Sequence, residues 1–264
     1  MLLLLDIGNT HTHLGLANGA RVVRQANLPT AGWWDGGLEH ALHRFLGTAS
    51  IRGAALCSVV PRATAPAAAL AGRLAGGECL VLSPRTVRGV GIDYPKPKTI
   101  GPDRLANAIA AAHHFGHPVV VVDFGTAVTF DVVNAAGNYV GGIIAPGLAA
   151  MTEYLHEKTA LLPRIQIREV RAVVGKNTRQ AMLVGAVHGY RGLVRELIRE
   201  LKAELGAPNL PVVATGGYAA LLAAKLPEIT AVDPRITLEG LRLAWVRRDE
   251  PAPARPPRRP RLKR

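Results

Sequence analysis

Two short apolar runs, each ending at an aspartate and a glycine, stand out in the pattern of hydrophobic and polar positions. The first is LLLLDIG from Leu2 and the second is VVVVDFG from Val119. An apolar run, a turn rich in Asp and Gly and a second apolar stretch together predict a β-hairpin that begins with a buried strand. The two segments superpose at an offset of 117 residues. This repeat indicates two related α/β halves.

Helical periodicity and turn residues predict the rest of the organisation. We expect helices over Ala63–Ala75, Pro102–Phe115, Asn177–Leu205 and Tyr218–Leu226, and a strand over Pro211–Ala214. Residues 83–100 are rich in Pro, Gly and Lys and predict a long ordered loop, which is often a functional feature in a compact domain. The predicted parts are an N-terminal half over residues 1–116, a C-terminal half over 117–246 and a tail over 247–264.

Composition fits a globular enzyme. Hydrophobic residues make up 48% of the 264 positions and charged residues 19%, a balance that excludes a disordered or fibrous chain. Cys57 and Cys79 form no CxxC pair, which favours a reducing cytoplasm. The first residues lack the basic lead and cleavage site of a signal peptide, and no run approaches the roughly 18 apolar residues of a membrane span.

The net charge of +13 lies partly at the C-terminal end. Residues 247–264 carry a net +6, are rich in Pro and Arg and contain almost no apolar side chains. Such a segment cannot bury enough surface to offset the entropy of ordering, so it predicts a disordered basic tail. We therefore expect nucleic acid to bind only nonspecifically, through the tail.

The chemistry of the two turns suits phosphate. Gly8 and Gly125 lack a Cβ and let backbone N–H groups approach an anion closely, while nearby threonine hydroxyls add donors. Asp6 and Asp123 end their strands where a carboxylate could hold a cation beside phosphate oxygens. A single Asp-x-Gly turn is more often purely structural, but two copies at corresponding positions favour a function.

These motifs carry a family resemblance. DIGNT at residues 6–10 and DFGTAVT at 123–129 resemble the phosphate motifs of the actin and hexokinase superfamily, in the form used by type III pantothenate kinases. ATGG at 214–217 resembles the adenosine motif of that family, although a helix-start turn explains it equally well. The resemblance implies duplicated ribonuclease H-like (actin/hexokinase-type) halves with a nucleotide cleft between them.

A third motif points to the substrate. GPDR, comprising Gly101, Pro102, Asp103 and Arg104, matches the GxDR motif of that family, and its aspartate is implied to be the catalytic base. Tyr94 and Thr178 match further positions that contact pantothenate in the family. Taken alone, Asp103 and Arg104 read as a helix-start aspartate and a surface arginine. Arg104 makes independent sense because a guanidinium can pair bidentately with the carboxylate of pantothenate.

The resemblance implies ATP-dependent phosphorylation of pantothenate, the first step towards coenzyme A. It implies a role for Asp6 in holding Mg²⁺ through water, and a monovalent cation, potassium or ammonium, at Asp123. It also implies a homodimer in which Thr178 reaches the substrate site of the other chain. The residues implied to contact ATP are Asp6, Ile7, Gly8, Asn9, Thr10, His11, Thr12, His13, Thr126, Gly216 and Gly217.

The sequence departs from the family pattern at His11, His13 and Val128, none of which removes a group that the mechanism needs. Two alternatives stay open. One is another small-molecule kinase or a phosphatase of the same superfamily, which has no reason to combine GPDR with Tyr94 and Thr178. The other is a regulatory or nucleic-acid-binding relative without catalysis, which only the positive charge favours.

Overall fold

The computed structural model describes residues 1–253, and the chain forms two compact units. The first unit contains residues 1–117, 133–141 and the chain from Thr237 onward; the second contains 118–132 and 142–236. The chain first passes between the units after residue 117, one residue beyond the predicted boundary at 116. The chain passes between them three more times, so the simple division into 1–116 and 117–246 differs from the structure.

A five-stranded sheet in the order β3-β2-β1-β4-β5 forms the centre of the first unit. Antiparallel pairing joins β1 to β2 and β2 to β3, whereas β4 runs parallel to both β1 and β5. The strands are β1 (Leu2–Ile7), β2 (His11–Ala17), β3 (Val22–Pro29), β4 (Gly53–Ser58) and β5 (Cys79–Val81). The helices of this unit are α1 (Gly37–Leu46), α2 (Pro61–Ala75), α3 (Pro102–Phe115) and α8 (Ile236–Val246).

The core of the first unit forms around β1. Leu3, Leu4 and Leu5 have no exposed surface, as expected for a central strand that is covered on both faces. A buried ion pair fixes α8 to the β2–β3 turn: Arg242 Nε donates to Glu239 Oε2 at 2.6 Å, and Glu239 Oε1 accepts from the Val22 backbone at 2.6 Å.

The second unit repeats the plan of the first. Five neighbouring strands of a six-stranded sheet follow the order β11-β10-β7-β8-β9, and β10 runs parallel to β7 and β11. They are β7 (Val119–Phe124), β8 (Ala127–Val133), β9 (Asn138–Pro146), β10 (Val212–Thr215) and β11 (Ala231–Val232). The first four residues of β9 still belong to the first unit. The helices are α4 (Leu148–Lys158), α5 (Thr178–Val184), α6 (Tyr190–Glu204) and α7 (Ala219–Ala223). Residues 159–177 form no regular element.

The predicted duplication is confirmed. β1 and β7 begin 117 residues apart and share one burial pattern, with the aspartate as the partly exposed fifth residue. Each strand continues through a glycine turn into a neighbouring strand, and each also has a parallel neighbour, β4 or β10. The fold is therefore mixed α/β with two related sheets.

The predicted helices are present with altered limits. α3 has the predicted bounds, α2 begins two residues early at Pro61, and α7 is shorter than predicted. A π-helical turn at Gly185–Gly189 interrupts the long predicted helix between α5 and α6. The predicted loop 83–100 contains β6 (Gly91–Ile92) and a 3₁₀ turn at Pro97–Thr99.

The fold continues beyond the predicted start of the tail at residue 247. Residues 247–250 form a turn, because their N–H groups still reach the last carbonyls of α8: Arg247 N donates to Leu243 O at 3.0 Å. Arg88 Nε donates to Glu250 O at 2.7 Å. The rest of the predicted tail, from residue 254, lies outside the described residues. Within residues 1–253, no helix has the length and apolarity needed to cross a membrane.

Candidate active site

The first phosphate-type turn joins β1 to β2. It closes through a hydrogen bond from Gly8 N to His11 O at 3.0 Å, and a Cβ on Gly8 would lie 3.0 Å from that same oxygen. Asn9, Thr10 and His11 are exposed, whereas Ile7 and Thr12 have no exposed surface. Neither Ile7 nor Thr12 therefore has side-chain or backbone surface that ATP could reach in this structure, and the exposed residues Asn9, Thr10 and His11 are the better candidates for the predicted contact.

Two residues that the sequence analysis missed brace this turn. Thr30 Oγ1 donates to Gly8 O at 2.7 Å, and Thr30 N donates to Thr10 O at 3.0 Å. Trp33 Nε1 donates to Thr12 Oγ1 at 3.1 Å. Both residues come from a 3₁₀ turn at Thr30–Trp33, directly after β3. No local sequence signal connects this turn to the glycine turn, since the contact depends on β-strand register.

Asp6 lies partly buried at the end of β1. Burial raises its pKa to about 7, the nearby Asp103 carboxylate adds to the rise, and a hydrogen bond from Cys57 opposes it. Cys57 lies opposite Asp6 in the β1–β4 register, and its Sγ donates to Asp6 Oδ1 at 3.3 Å. A carboxylate that is costly to ionise, beside a second carboxylate, fits a site that receives a cation.

Asp103 lies in the first turn of α3, after Pro102 at the first helical position. Its Oδ1 accepts from the Arg104 backbone at 2.9 Å. Burial raises the pKa of Asp103, while this hydrogen bond and the Arg104 charge oppose the rise. A Cβ on Gly101 would lie 2.4 Å from Asp103 Oδ1, so the glycine leaves room for the carboxylate. The helix start thus places the predicted base near Asp6 within one unit.

Two predicted substrate residues, Tyr94 and Arg104, flank the aromatic ring of a third residue, Tyr139. The Arg104 guanidinium lies 5.8 Å from the centre of the Tyr139 ring, and the Tyr94 ring meets the same ring edge-on at 6.2 Å. Tyr139 lies in β9, far from the GPDR motif in sequence, and the sequence analysis did not single it out. The structure therefore brings Tyr94, Asp103 and Arg104 into one region of the first unit.

The second glycine turn lies between β7 and β8. Gly125 N donates to Ala127 O at 3.1 Å, and Thr126 is exposed. Gly216, at φ +90°, packs so closely that an added Cβ would lie 2.5 Å from Asp123 Oδ1 and 2.6 Å from the Phe124 backbone. Only glycine fits this conformation and this contact. The ATGG segment therefore ends β10 directly beside Asp123.

The remaining residues singled out from the sequence lie at helix starts, in strand pairs or in the core. Gly217 is exposed and precedes α7, so its position still fits both an adenosine contact and a helix start. Thr178 is exposed at the first position of α5, where Asn177 Oδ1 caps the helix by accepting from Gln180 N at 3.0 Å. His13 Nδ1 pairs with Asn27 Oδ1 across β2 and β3 at 2.6 Å, and Val128 is fully buried.

Relatives with the same sequence features are enzymes of one family. The sequence profile described as type III pantothenate kinase matches residues 2–200. A type III pantothenate kinase of Akkermansia muciniphila is 47% identical over 92% of this chain and 97% of its own. Another, from Methylacidiphilum infernorum, is 42% identical over 92% of this chain and 87% of its own.

Solved structures support the fold at lower identity. A Baf family protein from Campylobacter jejuni superposes with a TM-score of 0.60 at 20% identity, covering 92% of this chain and 96% of its own. A Sinorhizobium meliloti protein assigned as a 2-dehydro-3-deoxygalactonokinase gives 0.55 at 13% identity, covering 96% and 98%. These neighbours support the predicted actin and hexokinase-type fold. With its sequence matches spanning nine-tenths of its length, the chain belongs to the type III pantothenate kinase family.

Proposed function

We propose that this protein transfers the γ-phosphoryl group of ATP to the primary hydroxyl of pantothenate, giving 4′-phosphopantothenate in the first step towards coenzyme A. The observation that carries the proposal is the position of Asp103: a buried carboxylate at a helix start, near the Asp6 carboxylate of the first glycine turn. Family membership identifies the class of reaction.

Asp103 acts as the base in this proposal. Its Oδ1 is held by the Arg104 N–H, which leaves Oδ2 to accept the proton of the substrate hydroxyl. The hydroxyl oxygen forms the new bond to the γ-phosphorus, and the bond from that phosphorus to the bridging oxygen of ADP breaks. Because burial raises the pKa of Asp103, it is a stronger base than a solvated carboxylate.

ATP is the co-substrate and a divalent metal accompanies it in this kinase family. When bound, Mg²⁺ would neutralise the charge that develops on the phosphates during transfer. Asp6 fits a role in holding the hydrated ion, because burial and the nearby Asp103 carboxylate raise its pKa, and a cation beside it would favour its charged form. Among residues 1–253, no group of three or more His, Cys, Asp or Glu side chains could hold a metal ion. We infer that water and phosphate supply most of its ligands.

We assign a monovalent cation, potassium or ammonium, to Asp123. The support is the contact with Gly216, whose missing side chain leaves the Asp123 carboxylate beside polar backbone. The glycine turns at Gly8 and Gly125 contact phosphate through backbone N–H groups, and Gly216 and Gly217 contact the adenosine part. The two cysteines are free thiols, and we place the enzyme in the cytoplasm.

We further propose a homodimer whose substrate site combines Asp103 of one chain with Thr178 of the other. The second unit exposes large apolar side chains on α4 and on the following segment, and a partner subunit would bury them. They are Met151, Tyr154, Leu155, Leu161, Val173 and Val174, with exposures between 40% and 89%.

An assay of the purified protein tests the proposed function. ATP, Mg²⁺ and pantothenate are supplied in potassium buffer, in ammonium buffer and in sodium buffer, with sugars and phosphate esters as competing substrates. We expect turnover of pantothenate alone, higher in potassium or ammonium than in sodium, and Asp123→Ala should remove that salt response. Turnover of a sugar or hydrolysis of a phosphate ester would instead identify another enzyme of the superfamily.

A further inference from the structure

The loop that carries Tyr94 is attached to the start of β9. β6 pairs in parallel with Asn138 and Tyr139, and Asp93 N donates to Tyr139 O at 3.0 Å. A Cβ on Gly91 would lie 1.9 Å from Asn138 Oδ1, so the glycine leaves room for the Asn138 side chain. These bonds fix the loop next to Tyr139, which is only 1% exposed.

The Tyr139 ring supports Tyr94 from behind. The two rings meet edge-on, with 6.2 Å between centres and 65° between planes, a preferred geometry for aromatic pairs. Gly141, at φ +130°, lies against the Tyr94 ring: a Cβ on this glycine would lie 3.3 Å from Tyr94 Cε2. Tyr94 is thus confined by two residues of β9.

Tyr139 also contacts Arg104. The guanidinium carbon lies 5.8 Å from the ring centre, within the range of a cation–π contact. The backbone N–H of Arg104 is held by Asp103, so the ring and the helix start hold the two ends of this residue. One buried ring therefore touches both predicted substrate-contacting side chains.

We propose that Tyr139 is a positioning residue. It holds the side chains of Arg104 and Tyr94 in the orientation that binds the carboxylate end of pantothenate, and so determines the preference for a substrate with a carboxylate. The inference rests on the proposed function. Tyr139 acts through Arg104: a guanidinium held in one orientation loses less freedom when it pairs with a carboxylate. It is neither base nor phosphate ligand, so its removal should spare ATP binding.

The test compares pantothenate with the alcohol in which its carboxylate is replaced by CH₂OH. Tyr139→Leu removes the ring, and we expect KM for pantothenate to rise roughly three- to tenfold, as for loss of a cation–π contact. KM for ATP and KM for the alcohol should change less than about twofold. Tyr139→Phe keeps the ring and should restore the wild-type preference for the acid.

Phe45→Leu is the matched control. Arg24 lies 4.8 Å from the centre of the Phe45 ring, in a comparable arginine–aromatic pair of the same unit. This variant should leave KM for pantothenate and KM for the alcohol unchanged. If Tyr139→Leu does not fold, as judged by its melting temperature, Tyr139→Met replaces the ring with a longer, flexible side chain that adapts to the space and should show the same loss of acid preference.

The outcomes separate the two proposals. A wild-type protein without pantothenate kinase activity would overturn the proposed function and this role of Tyr139 with it. An active wild type whose Tyr139→Leu and Tyr139→Met variants keep the full acid-to-alcohol preference would overturn the role of Tyr139 alone. Equal increases in KM for the acid, the alcohol and ATP would likewise reduce Tyr139 to a structural residue.

Discussion

Asp6 and Asp103 are two carboxylates with different neighbours. The Cys57 thiol donates to Asp6, while Asp103 accepts from the Arg104 backbone. Burial raises the pKa of both carboxyl groups, so a bound proton or a nearby cation would stabilise each of them. The sequence motifs identify both carboxylates, but the Cys57 contact follows only from the pairing of β1 with β4.

Replacing Asp103 with Asn tests the base. The amide keeps the shape and can still accept from Arg104 N, but it cannot take a proton. We expect kcat to fall by an amount equivalent to about 1–5 kcal/mol of transition-state stabilisation, with ATP binding nearly unchanged. Steady-state kinetics and nucleotide titration measure the two effects. Asp249→Asn changes an exposed carboxylate and serves as control; a wild-type kcat in Asp103→Asn would exclude the assignment.

Replacing Asp6 with Asn should stabilise the protein when no metal is present. The folded-state pKa is raised from 3.8 to about 7, so wild type loses stability as the pH rises through this window, and the variant does not. One pKa unit corresponds to about 1.4 kcal/mol, which sets an upper limit of roughly 4 kcal/mol.

Thermal melts in a chelator measure this difference from pH 4 to pH 8. The advantage of Asp6→Asn should be absent near pH 4, grow up to about pH 7 and then stay level. Added Mg²⁺ and ATP should stabilise wild type more than the variant. An advantage that does not vary with pH would contradict the burial of an ionising Asp6.

At the scale of elements, an ion pair anchors the irregular segment before α5. Arg191 of α6 is 3% exposed; its Nη2 donates to Glu169 Oε2 at 2.6 Å and to Leu221 O at 2.6 Å. The segment has no strand or helix of its own, so bonds to neighbouring elements hold it: besides this pair, Arg164 pairs with Glu153 of α4 and Arg179 Nη1 donates to Arg164 O at 2.9 Å. It leads directly to Thr178, the first residue of α5.

Glu169→Gln should loosen this segment. We expect trypsin to cleave faster after Arg164, Arg168 or Arg171, while the melting temperature falls only slightly, because a partly exposed ion pair contributes about 1 kcal/mol or less. Mass spectrometry of timed digests identifies the cut sites. Glu196→Gln removes an exposed pair with Arg199 on α6 and should not change the rate. Equal rates for both variants would show that Glu169 does not anchor the segment.

The elements that the sequence predicted well have strong local signals. Pro102 and the apolar periodicity that follows define α3, and four apolar residues before an aspartate define β1 and β7. The π-helical turn had no such signal, since its glycines at 185 and 189 are also compatible with an ordinary helix. Helix α8 was missed because its sequence, ITLEGLRLAWV, is apolar around most of its circumference and lacks an amphipathic period.

At the scale of the whole molecule, the sequence predicted two related halves but not how the chain is shared between them. Residues 133–141 and the chain from Thr237 onward belong to the first unit, which depends on tertiary contacts that no local pattern encodes. Tyr139 lies in the first of these segments. Its contacts with Tyr94 and Arg104 are likewise tertiary contacts, so the sequence did not predict them.

The proposed dimer predicts complementation between two impaired chains. Asp103→Asn and Thr178→Arg are each expected to have much reduced activity, and the residual activity of each variant alone is the baseline. When the two are refolded together, a mixed dimer contains one doubly damaged site and one intact site, so random pairing should restore roughly a quarter of all sites. Native mass spectrometry confirms mixed dimers. Mixed dimers without recovered activity would mean that each chain builds its substrate site alone.

Gly101 offers a way to move the base without altering any charge. Its φ of −58° suits alanine, so Gly101→Ala would bring no backbone strain. The new methyl group would lie 2.4 Å from Asp103 Oδ1 and displace that flexible carboxylate, while it would meet Arg104 Cγ at an ordinary contact distance of 3.5 Å. The variant would be an inactive enzyme that keeps all of its ionisable groups. Such a protein could hold both substrates in a stalled ternary complex, which is the state that crystallographers need to see bound pantothenate beside unreacted ATP.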